Sequence, residues 1–190
     1  MQKNENPVIL SVILFAITAV AALLLAFTNS VTVEKIEANS VKEQNEARAY
    51  VMSDAANFEE MDIGDFDGEE PVSEVYAAKD KDGKVIGYCV GVSPNGFGGA
   101  IDMIVGIGID DEMTGVKIIS MSETPGLGSK AQEPKFKDQF TGKKTESDIK
   151  VIKSGTPADD EIIAISGATV TSKAVTSGIN TAAAAVKSLK

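Results

Sequence analysis

Residues 101–122 read IDMIVGIGIDDEMTGVKIISMS, and this stretch decides the fold class. Two runs rich in β-branched residues, IDMIVGIGI and VKIISMS, flank the segment DDEMTG, and short apolar runs bounded by turn residues are typical of strands. Upstream, VSEVYAAK and KVIGYCVGV flank DKDG in the same way, and an Asp-Gly turn is of the kind that closes hairpins. The sequence therefore predicts two β-hairpins.

Shorter strands and a helix are predicted after the hairpins. KVIKSG (150–155) and EIIAIS (161–166) are candidate strands, and AVTSGINTAAAAVKSL (174–189) is a candidate closing helix. Strands grouped together with helices at the ends indicate an α+β fold rather than a doubly wound sheet. Cys89 is predicted to be a small buried hydrophobe. The other predicted core residues are Val72, Val75, Ile86, Tyr88, Val90, Ile104, Ile107, Ile118 and Ile119.

Length and composition limit the classes of function. A chain of 190 residues has room for one globular domain of ordinary size beside an anchor. The net charge of -10 argues against a nucleic-acid partner, since phosphate backbones require a basic face. With no histidine and one cysteine, a Cys/His zinc site, a cysteine-ligated iron-sulfur cluster, a disulfide framework and a Ser-His-Asp triad are excluded.

The N-terminal part of the chain predicts a membrane anchor. The run from Val8 to Phe27 has no charged residue, and twenty residues at about 1.5 Å per residue span a hydrocarbon core of about 30 Å. A cleaved signal peptide is the alternative, but its apolar region is usually about 7–15 residues long. We therefore expect a transmembrane helix over residues 8–28. Lys3 precedes it, so the positive-inside tendency predicts that residues 1–7 are cytoplasmic and that the domain is extracytoplasmic.

The segment 29–71 is predicted to hold a juxtamembrane amphipathic helix and an acidic loop before a domain over 72–190. Apolar residues recur at loosely helical spacing through 33–61, which predicts the helix. The stretch 59–74 contains eight acidic residues and no basic one. Asp65, Asp67, Gly68 and Glu74 match positions of a calcium loop, but Ile63 stands at its first ligand position. We therefore interpret the run as a solvated acidic loop rather than a metal site.

Three glycine-containing stretches are candidates for chemistry. PNGFGGAI (94–101) lacks the third glycine of a dinucleotide fingerprint and opens no helix, so it is a tight connection unless it lies beside a ligand. SETPGLGSKA (122–131) has a constrained backbone, and a ligand-positioning loop and a plain turn both remain open.

The third stretch, ISGATVTSKAV (165–175), places four hydroxyl side chains in the seven positions 166 to 172. Ser166 and Thr169 stand where a helix would start, so backbone N–H groups and the helix dipole would face any anion held there. Hydroxyl residues are also ordinary helix N-caps, and capping is the alternative interpretation.

The stretches NGFGGAIDMIVGI, SETPGLGSKA and SGATVTS occur in this order, and together they resemble the covalent FMN-binding domain of the G subunit of the Rnf ion-translocating electron-transport complex. The C subunit of the sodium-pumping NADH:quinone reductase is related. The resemblance implies FMN joined by a phosphodiester to Thr169 and installed by a flavin transferase outside the cytoplasm. It further implies cofactor contacts at Ser166, Gly167, Ala168, Val170, Thr171, Glu123, Thr124, Gly126 and Leu127.

The same resemblance implies an electron-transfer subunit in the cell membrane. Its complex would pass electrons from ferredoxin to NAD while sodium ions or protons move, so its partners would be the other Rnf subunits, membrane lipid and the flavin transferase. The chain would have no independent catalytic activity, and no metal site is expected. Two alternatives remain open: a free-standing anchored flavoprotein that reduces an external acceptor, and a non-redox anchored assembly module.

Overall fold

The computed structural model describes residues 7–64 and 66–189. The chain forms two compact units, the first ending at Lys42 and the second beginning at Glu43. Lys3 and all of the predicted cytoplasmic segment except Pro7 lie outside the described residues, and so does Asp65 of the acidic run.

The first element is one continuous helix, α1, over Pro7–Val51. It contains a window with a mean hydropathy of 3.0, and it is long and apolar enough to cross a membrane. The Ser11 and Thr18 hydroxyls donate to the carbonyls of Pro7 and Leu14 at 2.9 and 3.0 Å. These bonds satisfy the two hydroxyls within the helix.

The prediction of a helix over residues 33–61 is wrong for the residues after Val51. The chain leaves α1 there, and strand β1 follows at Asn57–Glu60. β1 pairs antiparallel with the next strand, with Phe58 opposite Ala78, and the Ala56 N–H donates to the Lys79 carbonyl at 2.7 Å. Pairing with a sheet edge satisfies the backbone as well as a helix would, and it overrides the weak helical spacing of this segment. The acidic run therefore begins in a strand.

The two predicted hairpins are confirmed, with strand ends shifted by up to three residues. Strands β2 to β5 join β1 in a five-stranded antiparallel sheet in which sequential strands are neighbours. Their bounds are β2 Val72–Lys79, β3 Val85–Val92, β4 Ile101–Gly108 and β5 Met113–Met121.

The elements after the sheet differ from the sequence expectation in length and pairing. A 3-10 turn at Gly128–Gln132 and the short helix α2 at Pro134–Lys137 follow β5. Strands β6 (Lys150–Ile152) and β7 (Glu161–Ile163) are shorter than predicted and pair in parallel with each other. The closing helix α3 spans Thr169–Ser188, so it begins before the predicted residue 174.

Two apolar clusters hold the second unit together. The larger one joins the sheet to α3, and it includes Val90 and Ile107 of the sheet and Ile179 of the helix. The smaller one joins the sheet to the last turns of α1 through Val51 and Ile104. Among the predicted core residues, Val75, Val90, Ile104, Ile107 and Ile118 are buried, and Val72, Ile86, Tyr88 and Ile119 pack partly buried against the clusters.

A buried polar contact accompanies the smaller cluster. Arg48 of α1 lies 3.8 Å from the ring centroid of Tyr76, and its Nη2 atom lies 2.7 Å from Glu74 Oε2. Cys89 is buried nearby, as predicted. Burial raises the pKa of the Cys89 thiol to about 12, and the charge of Arg48 offsets only part of this effect. The thiol is therefore protonated and unreactive at neutral pH.

Candidate functional site

A groove of about 420 Å³ lies where three segments meet: the glycine loop before β4, the loop after β5 and the start of α3. Its volume falls within the range of ordinary ligand pockets. The lining residues are Phe97, Glu123, Thr124, Leu127, Gly128, Gly167, Ala168, Thr169, Val170 and Thr171.

The carboxylate of Glu123 joins the three segments. Its Oε1 atom accepts hydrogen bonds from the Phe97 N–H at 2.7 Å and the Gly98 N–H at 3.0 Å. Its Oε2 atom accepts the Thr171 hydroxyl at 2.7 Å. Glu123 is 8% exposed and Thr171 is 1% exposed, so these bonds are shielded from water. The carboxylate therefore fixes the glycine loop and the first turn of α3 relative to the loop after β5.

These bonds also keep Glu123 charged. Burial is the largest single influence and acts to raise the pKa of the carboxyl, but the donors at Gly98, Thr171 and Phe97 together outweigh it. The pKa of Glu123 is therefore lowered below its ordinary value.

Two glycines shape the junction of these segments, Gly128 through its close contacts and Gly167 through its backbone conformation. A Cβ atom at Gly128 would collide with the Glu123 carboxylate and would lie 2.8 Å from Thr171 Oγ1. Gly167 has a φ of +78°, a left-handed conformation that turns the chain into α3 and that residues with a side chain rarely adopt. The motifs thus require glycine for steric reasons.

The start of α3 carries no side-chain cap. The N-cap residue is Ala168, it has no side-chain capping hydrogen bond to the first turn, and Thr169 is the first helical residue. The capping interpretation of Ser166 and Thr169 is therefore wrong. The first backbone N–H groups of a helix have no partner within the helix, so this end offers donors and a positive dipole to an anion.

The four hydroxyls of the motif fall into two pairs. Thr171 donates to Glu123, and Ser172 Oγ accepts the Ile165 N–H at 3.0 Å and donates to the Ala168 carbonyl at 2.9 Å. These two buried hydroxyls hold the loop against the helix. Ser166 is exposed, and Thr169 is half-buried in the groove.

The structure brings most of the predicted site residues to one groove. Ser166 and Gly126 are predicted contacts that do not line it. Phe97 and Gly128 line it and were not predicted as contacts. Both residues belong to glycine-containing stretches that are candidates for chemistry in the sequence. The sequence does not show that these loops lie beside the start of α3, so it does not identify the two residues as groove residues.

The acidic loop lies elsewhere. It lines a separate groove of about 840 Å³ between Glu60 and Val75. Within residues 7–64 and 66–189, no group of three or more acidic, histidine or cysteine side chains could hold a metal ion.

Comparison with known proteins identifies the domain. The model of the FMN-binding domain family matches residues 96–184, which include every segment of the groove. The groove therefore lies in a domain of the FMN-binding family.

Three similar proteins cover nearly the whole chain. The G subunit of the Na(+)-translocating ferredoxin:NAD(+) oxidoreductase complex of Acetobacterium woodii is 43% identical over 90% of this chain and 87% of its own. The G subunit of the ion-translocating oxidoreductase complex of Methanosarcina acetivorans is 35% identical over 95% and 93%. The G subunit of the proton-translocating ferredoxin:NAD(+) oxidoreductase complex of Clostridium ljungdahlii is 32% identical over 95% and 92%.

Two solved structures have the same fold. NqrC of Shewanella oneidensis matches with a TM-score of 0.53 and 23% identity, over 67% of this chain and 65% of its own. The C subunit of the Na(+)-translocating NADH-quinone reductase of Parabacteroides distasonis matches with a TM-score of 0.51 and 28% identity, over 64% and 63%. The α+β prediction and the family resemblance are thus confirmed: this chain belongs to the G subunits of ion-translocating oxidoreductase complexes.

Proposed function

We propose that this chain is an electron-transfer subunit of a membrane complex that couples ferredoxin:NAD oxidoreduction to translocation of Na⁺ or H⁺. Its near full-length similarity to three G subunits carries this proposal, and it favours membership of a complex over a free-standing flavoprotein or a non-redox module. The chain itself holds and positions a cofactor, and the complete complex is the oxidoreductase.

We further propose that the FMN is covalent, through a phosphodiester to Thr169 Oγ1. Three features of the groove fit this group: Thr169 is half-buried within it, the adjoining helix end is uncapped, and the remaining rim is largely apolar. The first-turn N–H groups of α3 would bind the phosphate oxygens. The ester has the composition of Thr169 plus FMN less one water, and a flavin transferase would form it by attack of Thr169 Oγ1 on the phosphorus of an activated FMN donor, whose other substituent leaves with the bonding electron pair.

When bound, FMN accepts and donates one or two electrons, which suits a carrier between neighbouring redox centres. The residues of the chain fix its position. Glu123 holds the glycine loop and α3 together, Gly128 permits their close approach, and the exposed apolar rim offers surface that the cofactor would cover. A covalent bond keeps the cofactor on a protein domain from which free FMN would be lost by dilution.

A substitution of the attachment residue tests this assignment. Thr169→Ala, expressed with a flavin transferase, should lose the ultraviolet fluorescence of the denatured gel band. Ser166→Ala is the matched control, because Ser166 is also a hydroxyl of the motif but does not line the groove. Fluorescence that persists in Thr169→Ala would refute the assignment.

We also propose a single membrane crossing by α1, with the N-terminus cytoplasmic and the FMN domain extracytoplasmic. A cysteine placed at exposed Lys153 would report the orientation, because Cys89 is buried and protonated and gives little background. An impermeant maleimide should label Lys153→Cys in intact cells. Labelling that requires permeabilised cells would reverse the orientation.

The proposed partners are the other membrane and peripheral subunits of the Rnf complex, with the flavin transferase as a transient partner. Membrane lipid surrounds the apolar part of α1, whose 18-residue apolar window is unburied in the part of the chain described. We expect integral membrane subunits of the complex to co-purify with this chain from mildly solubilised membranes. A chain that elutes alone would argue against assembly.

A further inference from the structure

We propose that Phe97 covers the ring system of the FMN at Thr169, as an aromatic wall that the glycine loop holds over the groove. This inference rests on the proposed function. It assigns a positioning role to a residue that does not belong to the attachment motif and that lies far from Thr169 in the sequence.

The first observation is that Phe97 has a fixed backbone and an exposed side chain. Its N–H is bound to Glu123 Oε1 at 2.7 Å, and the next N–H, of Gly98, is bound to the same atom at 3.0 Å. Phe97 is nevertheless 74% exposed. The phenyl group therefore contributes little to the core, although two hydrogen bonds to a buried carboxylate fix the backbone that carries it.

The second observation is that other exposed apolar residues meet Phe97 at the same groove. Leu127 is 43% exposed and Val170 is 53% exposed, and both line the groove with Phe97 and Thr169. Single exposed apolar side chains are common on protein surfaces, but three of them converging from three segments on one cavity indicate a binding site for an apolar group.

The occupant we infer is the isoalloxazine ring, because its attachment point lies in this cavity. The phosphate would bind at the polar helix end beside Thr169, which leaves the flat aromatic part of FMN for the apolar rim. Contact between aromatic rings is favourable beyond the area that it buries. Removing the phenyl ring should therefore shift the ratio of covered to uncovered flavin by about 2- to 10-fold.

The test measures access of solvent to the flavin in the full-length protein, co-expressed with a flavin transferase and purified in detergent. Iodide quenching of flavin fluorescence is measured on Phe97→Ala, on Phe97→Leu and on the control Ile109→Ala. Ile109 is a matched control because it is 50% exposed and lies outside the groove. Each sample is then unfolded in urea to normalise for bound flavin.

We expect the quenching constant of Phe97→Ala to rise towards that of the unfolded sample and the fluorescence anisotropy of its flavin to fall. The quenching constant and the anisotropy of Phe97→Leu should lie between those of Phe97→Ala and wild type. Both values for Ile109→Ala should equal those of wild type. Because Phe97 is exposed, the urea midpoint of the flavin-free protein should not change.

A flavin-loaded Phe97→Ala protein with wild-type quenching and anisotropy would overturn the inference, and the phenyl ring would then face a partner protein instead. If Phe97→Ala does not retain flavin, Phe97→Leu decides the question, and wild-type values in that variant refute the covering role. A wild-type protein without gel fluorescence would instead overturn the proposed function, and the two failures are thus distinguishable.

Discussion

Replacing Thr171 by Val tests the hydrogen-bonded centre of the groove. The substitution keeps the side-chain shape but removes the hydroxyl that donates to Glu123 Oε2 at 2.7 Å, in a position that is 1% exposed. A hydrogen bond to a charged group contributes about 1.5–3 kcal/mol. We expect the free energy of unfolding to fall by that amount, which corresponds to a melting temperature lower by about 3–12 °C for a domain of this size.

Urea unfolding of the flavin-free full chain in detergent, followed by circular dichroism, measures this change. Thr176→Val is the matched control, because Thr176 is a buried threonine on the same helix whose hydroxyl donates to the Ser172 carbonyl at 2.9 Å. That acceptor is uncharged, so the control should lose about 1 kcal/mol or less. If the losses in unfolding free energy of the two variants differ by less than about 0.5 kcal/mol, the hydrogen bond from Thr171 to Glu123 does not stabilise the fold as we argue.

Two further predictions concern the same centre. Because the folded pKa of Glu123 is lowered, the charged carboxylate stabilises the fold above its ordinary pKa of 4.5, and this contribution is lost as the pH falls through the folded pKa. The difference in unfolding free energy between wild type and Glu123→Gln, from urea titrations at several pH values, should therefore shrink below pH 4.5; a constant difference would contradict the lowered pKa. Gly128→Ala should destabilise the fold by about 1–3 kcal/mol and reduce flavin loading, because its Cβ collides with the carboxylate. Gly115→Ala, whose Cβ would meet nothing closer than 3.8 Å, is the control in both measurements, and equal effects in the two variants would contradict the steric argument.

The antiparallel sheet can be predicted from the sequence because the residues that indicate its strands and turns are close together in the chain. Each Asp- and Gly-containing turn joins two apolar runs, and the strands lie where these runs occur. Strand β1 cannot be predicted in this way. Asn57–Glu60 becomes a strand because it pairs with the edge of β2, and the spacing of its apolar residues does not reveal that contact. The parallel pairing of β6 and β7 likewise depends on segments separated along the chain.

The hydroxyl-rich stretch ISGATVTSKAV (165–175) shows a similar division. Its hydroxyls and glycine were visible in the sequence, but capping was a reasonable expectation for Ser166 and Thr169 and the N-cap is Ala168. The roles of Thr171 and Ser172 depend on partners at Glu123 and in the preceding loop. Such partners are fixed by the tertiary fold, so residue type alone could not assign them.

The intact mass of the chain, isolated from its own membrane, tests the central claim most directly. The account predicts one species that is heavier than the translated chain, after any N-terminal processing, by one FMN less one water, with the increment on the peptide that contains Thr169. A chain of unmodified mass that is colourless after unfolding would contradict it.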